Sequence, residues 1–239
     1  MISLIFPFFN EEKRIHLFTE GLNSYKNPHQ LIREIILVDD GSTDGTAQKL
    51  KEVQVQHPEY RIKIIQVTPN KGKGNAIREG VMAAEQPWIL CNDADLSYSM
   101  QQIDEWVDNY PVDFNKINTV YFGSRELGKK NHAMKLFLHR KIIGRIYAFL
   151  IRRITGVLVL DTQCGYKLYP SGIAKKIFSK TEEMRFAFDV EVHYLLQKEK
   201  VEVVLLPVYC VDVGGSKVNL IKDSWQMFEA LFRIRRRHS

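Results

Sequence analysis

The chain has 239 residues, 45% of them hydrophobic and 11% aromatic, which excludes a disordered protein and supplies a sizeable core. A formal net charge of +6 and a pI of about 9.1 favour anionic partners. Three cysteines, Cys91, Cys164 and Cys210, are too few and too scattered for a disulfide framework or a zinc cluster, so a reducing compartment is expected.

No Pro/Ser-rich linker, low-complexity stretch or fixed-period repeat divides the sequence, which predicts one domain over 1–239. Met1 leads into an apolar run without a basic n-region or cleavage site, so a cytoplasmic protein is expected. In chain order, strands are predicted at Ile2–Phe6, Glu34–Val38, Ile62–Val67 and Trp88–Cys91. Helices are predicted at Glu12–Tyr25, Thr43–Gln56 and Gly74–Ala84. This β-α-β-α order implies a Rossmann-like α/β fold, a mainly parallel sheet flanked by helices, with ligands beyond the carboxyl ends of the strands.

A further strand is expected at Thr119–Phe122, followed by a basic and apolar helical stretch from Lys135 to Leu158. Its charges interrupt it well short of the roughly 20 apolar residues of a spanning helix. Leu138, Ile142, Ile146, Phe149 and Leu150 recur at helical spacing, with Lys141, Arg145 and Arg152 on another face, the pattern of an interfacial helix. Then come a helix over Phe186–Gln197, a strand pair over Val203–Val213, and a final amphipathic helix over Leu220–Arg237. Arg233, Arg235, Arg236 and Arg237 close the chain as a basic tail suited to an anionic partner.

Three loops carry chemistry. Asp93 and Asp95 end an apolar strand in Asn92-Asp93-Ala94-Asp95, where residues two apart on a strand would face the same side. Paired carboxylates suit Mg²⁺ or Mn²⁺, which bridges to a nucleotide diphosphate. A lone Asp-x-Asp is more often a solvated turn, so its place after a buried strand gives it weight. Asp39 and Asp40 in Asp39-Asp40-Gly41-Ser42-Thr43-Asp44 can accept from a base N–H or ribose hydroxyls. Gly41 would permit the turn, and Ser42, Thr43 or Asp44 would cap the next helix. In Lys71-Gly72-Lys73-Gly74-Asn75, backbone N–H groups at a helix start and Lys73 can face a phosphate. The dinucleotide fingerprint fails here, because its third glycine would fall at Ile77.

These loops, with Pro7-Phe8-Phe9-Asn10-Glu11-Glu12, Phe122-Gly123-Ser124-Arg125, Asp161-Thr162-Gln163-Cys164-Gly165-Tyr166-Lys167, Phe186-Ala187-Phe188-Asp189-Val190-Glu191 and Gly215-Ser216-Lys217, form a joint pattern. The chain resembles the inverting glycosyltransferases of family 2, within them the dolichyl-phosphate glucosyltransferase-like branch of polyprenyl-phosphate glycosyltransferases. The resemblance implies a GT-A fold, with residues 1–125 as the nucleotide-sugar half and 126–239 as the acceptor and membrane-facing half. It implies that Pro7, Phe9, Asn10, Glu11, Asp39 and Asp40 hold the donor's base and ribose, Phe9 standing where the family usually has a stacking tyrosine. Asp93 and Asp95 would hold nucleotide and metal, with Ser97 where related mannosyltransferases have a glutamine ligand.

By the same resemblance Arg125 and Arg140 hold the acceptor phosphate, which suits a planar guanidinium. Asp161, Gln163, Ser216 and Lys217 would face the acceptor, and Asp189 and Glu191 the sugar or acceptor. A polyprenyl phosphate, largely a dianion at neutral pH, is itself the nucleophile, so no base is required. With a hydroxyl acceptor, Asp189 or Glu191 would be the candidate base.

The Asp161–Gly165 segment looks more like the glucosyl than the mannosyl branch, so the resemblance implies transfer of glucose from UDP-glucose to a lipid phosphate, with GDP-mannose or another UDP-hexose as the alternative donor, and peripheral association with the inner face of a membrane. A nucleic-acid-binding module is the rival from the basic pI, without any helix-turn-helix, zinc or RNA-stacking signature and with acidic loops that repel phosphates. A nucleotidyltransferase would use similar acids and metal but transfer a nucleotidyl group.

Overall fold

The computed structural model describes residues 1–128, 148–157, 164–211 and 220–238, with 220–225 as backbone only. Seven strands form one sheet: β1 (Ile2–Phe8), β2 (Ile32–Asp39), β3 (Arg61–Gln66), β4 (Trp88–Cys91), β5 (Thr119–Ser124), β6 (Lys167–Pro170) and β7 (Glu202–Pro207), in the order β3-β2-β1-β4-β6-β5-β7. The helices are α1 (Ile15–Ser24), α2 (Thr46–Gln56), α3 (Lys73–Ala83), α4 (Gln102–Asn109), α5 (Arg125–Gly128), α6 (Ser171–Phe178), α7 (Phe188–Lys198) and α8 (Leu220–His238), and residues 148–155 are also helical.

The central strands are near-continuous apolar runs because both faces are covered. On β1, Leu4, Phe6 and Phe8 enter the core shared with α1, α2 and α4, while Ile5 enters the core shared with α3, α6 and α7; Ile35 and Leu37 against Ile36 and Val38 repeat this on β2. None of α1, α2 and α3 has a side-chain hydrogen bond from its N-cap residue. A cap is worth about 1 kcal/mol, whereas each fully buried Leu, Ile or Phe contributes roughly 1.5–3 kcal/mol, so packing decides where these helices lie.

Strands β1 to β4 pair in parallel, as do β5 and β7, but β6 runs antiparallel to both β4 and β5. The reversal matters for the site. Register pairs Cys91 at the end of β4 with Lys167 at the start of β6, and Phe122 near the end of β5 with the same Lys167. The end of β5, the start of β6 and the end of β7 therefore join the carboxyl ends of β1, β2 and β4 on one edge.

Helices α4, α5 and α6 and strand β6, all short, were not expected from the sequence. Its strand pair at 203–213 is corrected to the single strand β7, since 208–211 leave the sheet to approach the loop after β4, Val211 N–H donating to Ser97 O at 2.9 Å. The basic stretch 135–158 is helical at 148–155, and 129–147 lie outside the described residues. No helix among the described residues is long and apolar enough to cross a membrane.

Candidate active site

The loops after β1 and β2 are knitted together by side chains that sequence reasoning had assigned to the donor. Asn10, at φ 52°, donates its N–H to Ser42 Oγ at 2.9 Å and accepts at Oδ1 from Thr43 N at 2.8 Å. Gly41 has φ 72°, and a Cβ there would meet the backbone N of Asn70 at 2.6 Å. Helix α2 starts three residues later than expected, at Thr46: Asp44 Oδ1 accepts from Thr46 N at 3.0 Å, while the N-cap position itself is Gly45. Glu11 forms a two-point pair with Arg14, at 2.7 and 3.0 Å. Pro7 lies on β1 opposite Val38, and Phe9, just beyond β1, is 38% exposed.

Asp39 and Asp40 are buried. Asp39 Oδ1 accepts from Ser42 N at 3.0 Å. Asp40 accepts from Asn70 Nδ2 at 2.7 Å, Lys71 N at 3.1 Å and Gly72 N at 2.7 Å, so it clasps the loop that opens α3. Burial pushes its carboxyl above the usual range, and the Lys71 and Gly72 N–H groups pull it back. Its geometry is that of a positioning residue for the Lys73 loop.

Asp93 and Asp95 follow β4 in a turn, which corrects the reading that strand pleating aligns them, because β4 ends at Cys91. Asp95 Oδ1 accepts from Ser97 N at 3.0 Å and Ser97 Oγ at 2.7 Å, a local turn that orients the carboxylate. Ser97 thus positions Asp95. Asp93 Oδ1 accepts from Lys73 Nζ at 2.5 Å, and Asp93 Oδ2 packs on Gly165, where a Cβ would fall at 2.4 Å. Gly165 is therefore required by the close approach of this carboxylate.

Behind this pair sits a second. Lys167 donates to Asp189 Oδ1, both side chains nearly fully buried, with the ammonium 5.4 Å from the Phe122 ring centroid and 5.9 Å from that of Phe188. Burial pushes the Asp189 carboxyl above its usual range, against the pull of Lys167 and then Lys73. Burial alone would lower the Lys73 pKa, but the carboxylates of Asp93, Asp189 and Asp95 outweigh it and raise the pKa, so this amine stays charged. The adjoining Cys91 thiol is pushed up to about 12, chiefly by burial, and is no nucleophile.

Arg125 follows β5 on the same edge and acts electrostatically on Tyr98 and Cys210, which also feel Asp93. Arg14 lies within the field of Asp95. Glu191 does not face the site: Oε2 accepts from the N–H groups of Glu182 and Glu183 at 2.9 and 2.7 Å, and Oε1 lies 2.8 Å from His238 Nε2. It braces α8 and is removed from the candidate bases. Arg140, Asp161, Gln163, Ser216 and Lys217 lie outside the described residues.

Two residues escaped the assignment of roles from the chain. Lys167 was visible as a lysine inside an aromatic and apolar run, and Arg14 as a partner three residues from Glu11. The basic tail is corrected in part: Arg233 pairs with Glu183 at 3.0 and 2.9 Å, and Arg237 with Glu182 at 2.9 Å, so these two stabilise the fold.

The model of the family described as glycosyl transferase family 2 matches residues 3–178, which contain β2 to β6, all of β1 but Ile2, and both Asp93 and Asp95. The chain belongs to glycosyl transferase family 2. It is a glycosyltransferase with a GT-A fold. A dolichyl-phosphate beta-glucosyltransferase of Dictyostelium discoideum is 28% identical over 99% of this chain and 74% of its own length. One of Saccharomyces cerevisiae is 30% identical over 98% of this chain and 74% of its own. Among solved structures, Mycobacterium tuberculosis glucosyl-3-phosphoglycerate synthase in complex with Mg²⁺ and UDP superposes with a TM-score of 0.66 at 15% identity, covering 98% of this chain and 79% of that one. The Pyrobaculum calidifontis mannosyltransferase in complex with GDP-Man and Mn²⁺ gives 0.64 at 14% identity, covering 98% and 62%. These likenesses concern the fold.

Among the described residues no group of three or more His, Cys, Asp or Glu forms a complete metal cage. Two carboxylates beside an open edge nevertheless fit Mg²⁺ or Mn²⁺ of the kind that takes its remaining oxygens from phosphate and water.

Proposed function

We propose that this glycosyltransferase moves glucose from UDP-glucose to a dolichyl or other polyprenyl phosphate at the cytoplasmic face of a membrane. The observation that carries the reading is the alignment of Lys73, Asp93 and Asp95 on the strand edge of a chain whose relatives, matched over 98–99% of its length, bear the name dolichyl-phosphate beta-glucosyltransferase. Phe9 stacks on the base, Asp39 and the Asn10 loop frame the ribose, and Lys73 faces the diphosphate. Asp93 and Asp95 would hold a divalent ion, which would supply charge neutralisation at the departing diphosphate.

An acceptor phosphate oxygen forms the bond to the anomeric carbon as the bond from that carbon to the diphosphate breaks, the electron pair leaving with UDP and the configuration inverting. Arg125, with Arg140, Asp161, Gln163, Ser216 and Lys217, orients the acceptor. The nucleophile is charged at neutral pH and transfers no proton, which agrees with an Asp189 whose Oδ1 accepts from a buried ammonium. A hydroxyl acceptor would need a base that Asp189, so engaged, does not supply.

The helix at 148–155 and α8 pack together around Ile151, Val190, Leu231 and Ile234. Outside that seam they expose Phe149 and Phe232, at 65% and 52%, beside the exposed Arg152, Arg153 and Arg236. Apolar rings flanked by arginines suit the boundary of an anionic lipid layer, which brings the site to its acceptor. The test incubates the protein with UDP-glucose, GDP-mannose or UDP-N-acetylglucosamine, with and without a short polyprenyl phosphate and Mg²⁺ or Mn²⁺. Acceptor-dependent UDP release from UDP-glucose is expected; GDP release would move the donor to mannose, and failure to bind any nucleotide sugar would refute the assignment of the donor edge.

A further inference from the structure

The ammonium of Lys73, first residue of α3, lies 2.5 Å from Asp93 Oδ1, and the two side chains are 24% and 27% exposed, so the pair is within reach of ligands. The Asp93 carboxylate lies against Gly165, where a Cβ would meet Oδ2 at 2.4 Å and Oδ1 at 2.8 Å. Asp95 differs: Ser97 engages Oδ1, and Oδ2 has no hydrogen-bond partner among the described residues. A divalent ion approaching Asp93 Oδ1 meets an ammonium already in place. Two unit charges of like sign 4 Å apart repel by about 4 kcal/mol at an effective dielectric of 20, and a doubly charged ion more, so both cannot hold that oxygen.

We propose that Lys73 is a resident cation of the donor site: without donor it occupies Asp93 and leaves a divalent ion only Asp95, and the arriving diphosphate draws it off, so that metal and nucleotide load together. The inference rests on the donor-edge reading above and deepens it. Two carboxylates besides Asp93, those of Asp95 and Asp189, also attract this ammonium, so it stays in the cluster until a new anion arrives. Asp93, Asp95 and Asp189 are balanced by Lys73, Lys167 and, on the same edge, Arg125, which leaves too little negative charge for a tight divalent site, and removing Lys73 adds one unit of it. The coupling has a thermodynamic signature, since nucleotide strengthens metal binding by the factor with which metal strengthens nucleotide binding.

The experiment measures Mn²⁺ binding to the full chain by electron paramagnetic resonance of the free ion, with and without UDP. Lys73→Met is expected to bind Mn²⁺ alone about tenfold more tightly than the unaltered protein, while its UDP affinity falls. Lys73→Arg, which keeps the charge, and Lys71→Met, which removes an exposed charge two residues away, are expected to bind Mn²⁺ alone as the unaltered protein does. If Lys73→Met loses its fold by circular dichroism, Lys73→Gln takes its place with the same expectation. An unchanged or weaker Mn²⁺ affinity beside intact UDP binding overturns this inference alone, as does equal tightening by Lys71→Met. Absence of UDP binding in the unaltered protein overturns the donor-edge reading and this inference with it.

Discussion

Asp40 and Asp95 follow parallel strands on the same edge of one sheet, yet the two loops use their carboxylates in opposite ways. Asp40 is buried and turned inward on Asn70, Lys71 and Gly72, so its energy goes into holding a loop in place. Asp95 stays partly exposed, with one oxygen fixed by Ser97, and Asp93 beside it is matched by a mobile kind of charge, a lysine. Acidic residues at strand ends are therefore not interchangeable. A buried carboxylate with both oxygens engaged, as in Asp40, is structural, whereas a partly exposed one with an oxygen or a side-chain cation at the edge, as in Asp95 and Asp93, can exchange for ligand.

The buried pair behind the site marks one extreme of this contrast. Lys167→Met leaves Asp189 uncompensated in the interior and is expected to cost about 3–5 kcal/mol of stability by urea unfolding, with recovery in the double variant Lys167→Met/Asp189→Leu. A cost below about 1 kcal/mol would show that Asp189 is relieved in the variant, by taking up a proton or by admitting water. Asp95→Ala tests the other extreme: turnover is expected to fall by roughly 10²–10³, about 2.7–4 kcal/mol, with the urea midpoint nearly unchanged. Asp40→Ala should do the reverse, lowering stability by about 2–3 kcal/mol because buried N–H groups lose their acceptor. If Asp40→Ala kept full stability and lost donor binding, the contrast drawn between the two loops would collapse. The smallest effect is expected at the exposed Arg236, where replacement by Ala should weaken binding to anionic liposomes at low salt by about 1 kcal/mol, against no change for Arg233→Ala beyond its effect on folding.

Strands β1 to β4 and helices α1 to α3 were legible within a few residues, because each carries its own apolar period and its own turn. The gathering of Asp93, Asp95 and Lys73 on one strand edge was legible for the same reason, since each lies in the loop or first turn that joins such elements. Strand β6 is four residues long like β4, but it opens on Lys167 and closes on Pro170, so it lacks the unbroken apolar run that made β4 visible. The arginine tail misled by its composition, since a run of like charges says nothing about which acids it will meet.

The amino-acid sequence by itself determined the α/β class, the family and the acidic loops after the strands, all properties of contiguous segments. Only the tertiary structure decided which charges are neutralised. The partners of Lys167–Asp189 are 22 residues apart and those of Arg233–Glu183 are 50 apart, and the antiparallel turn of β6 brings Lys167 to the site. Whether a carboxylate is a ligand, a clasp or half of a buried pair depends on the donors that arrive from elsewhere in the chain, and chain order does not specify those until the sheet has formed.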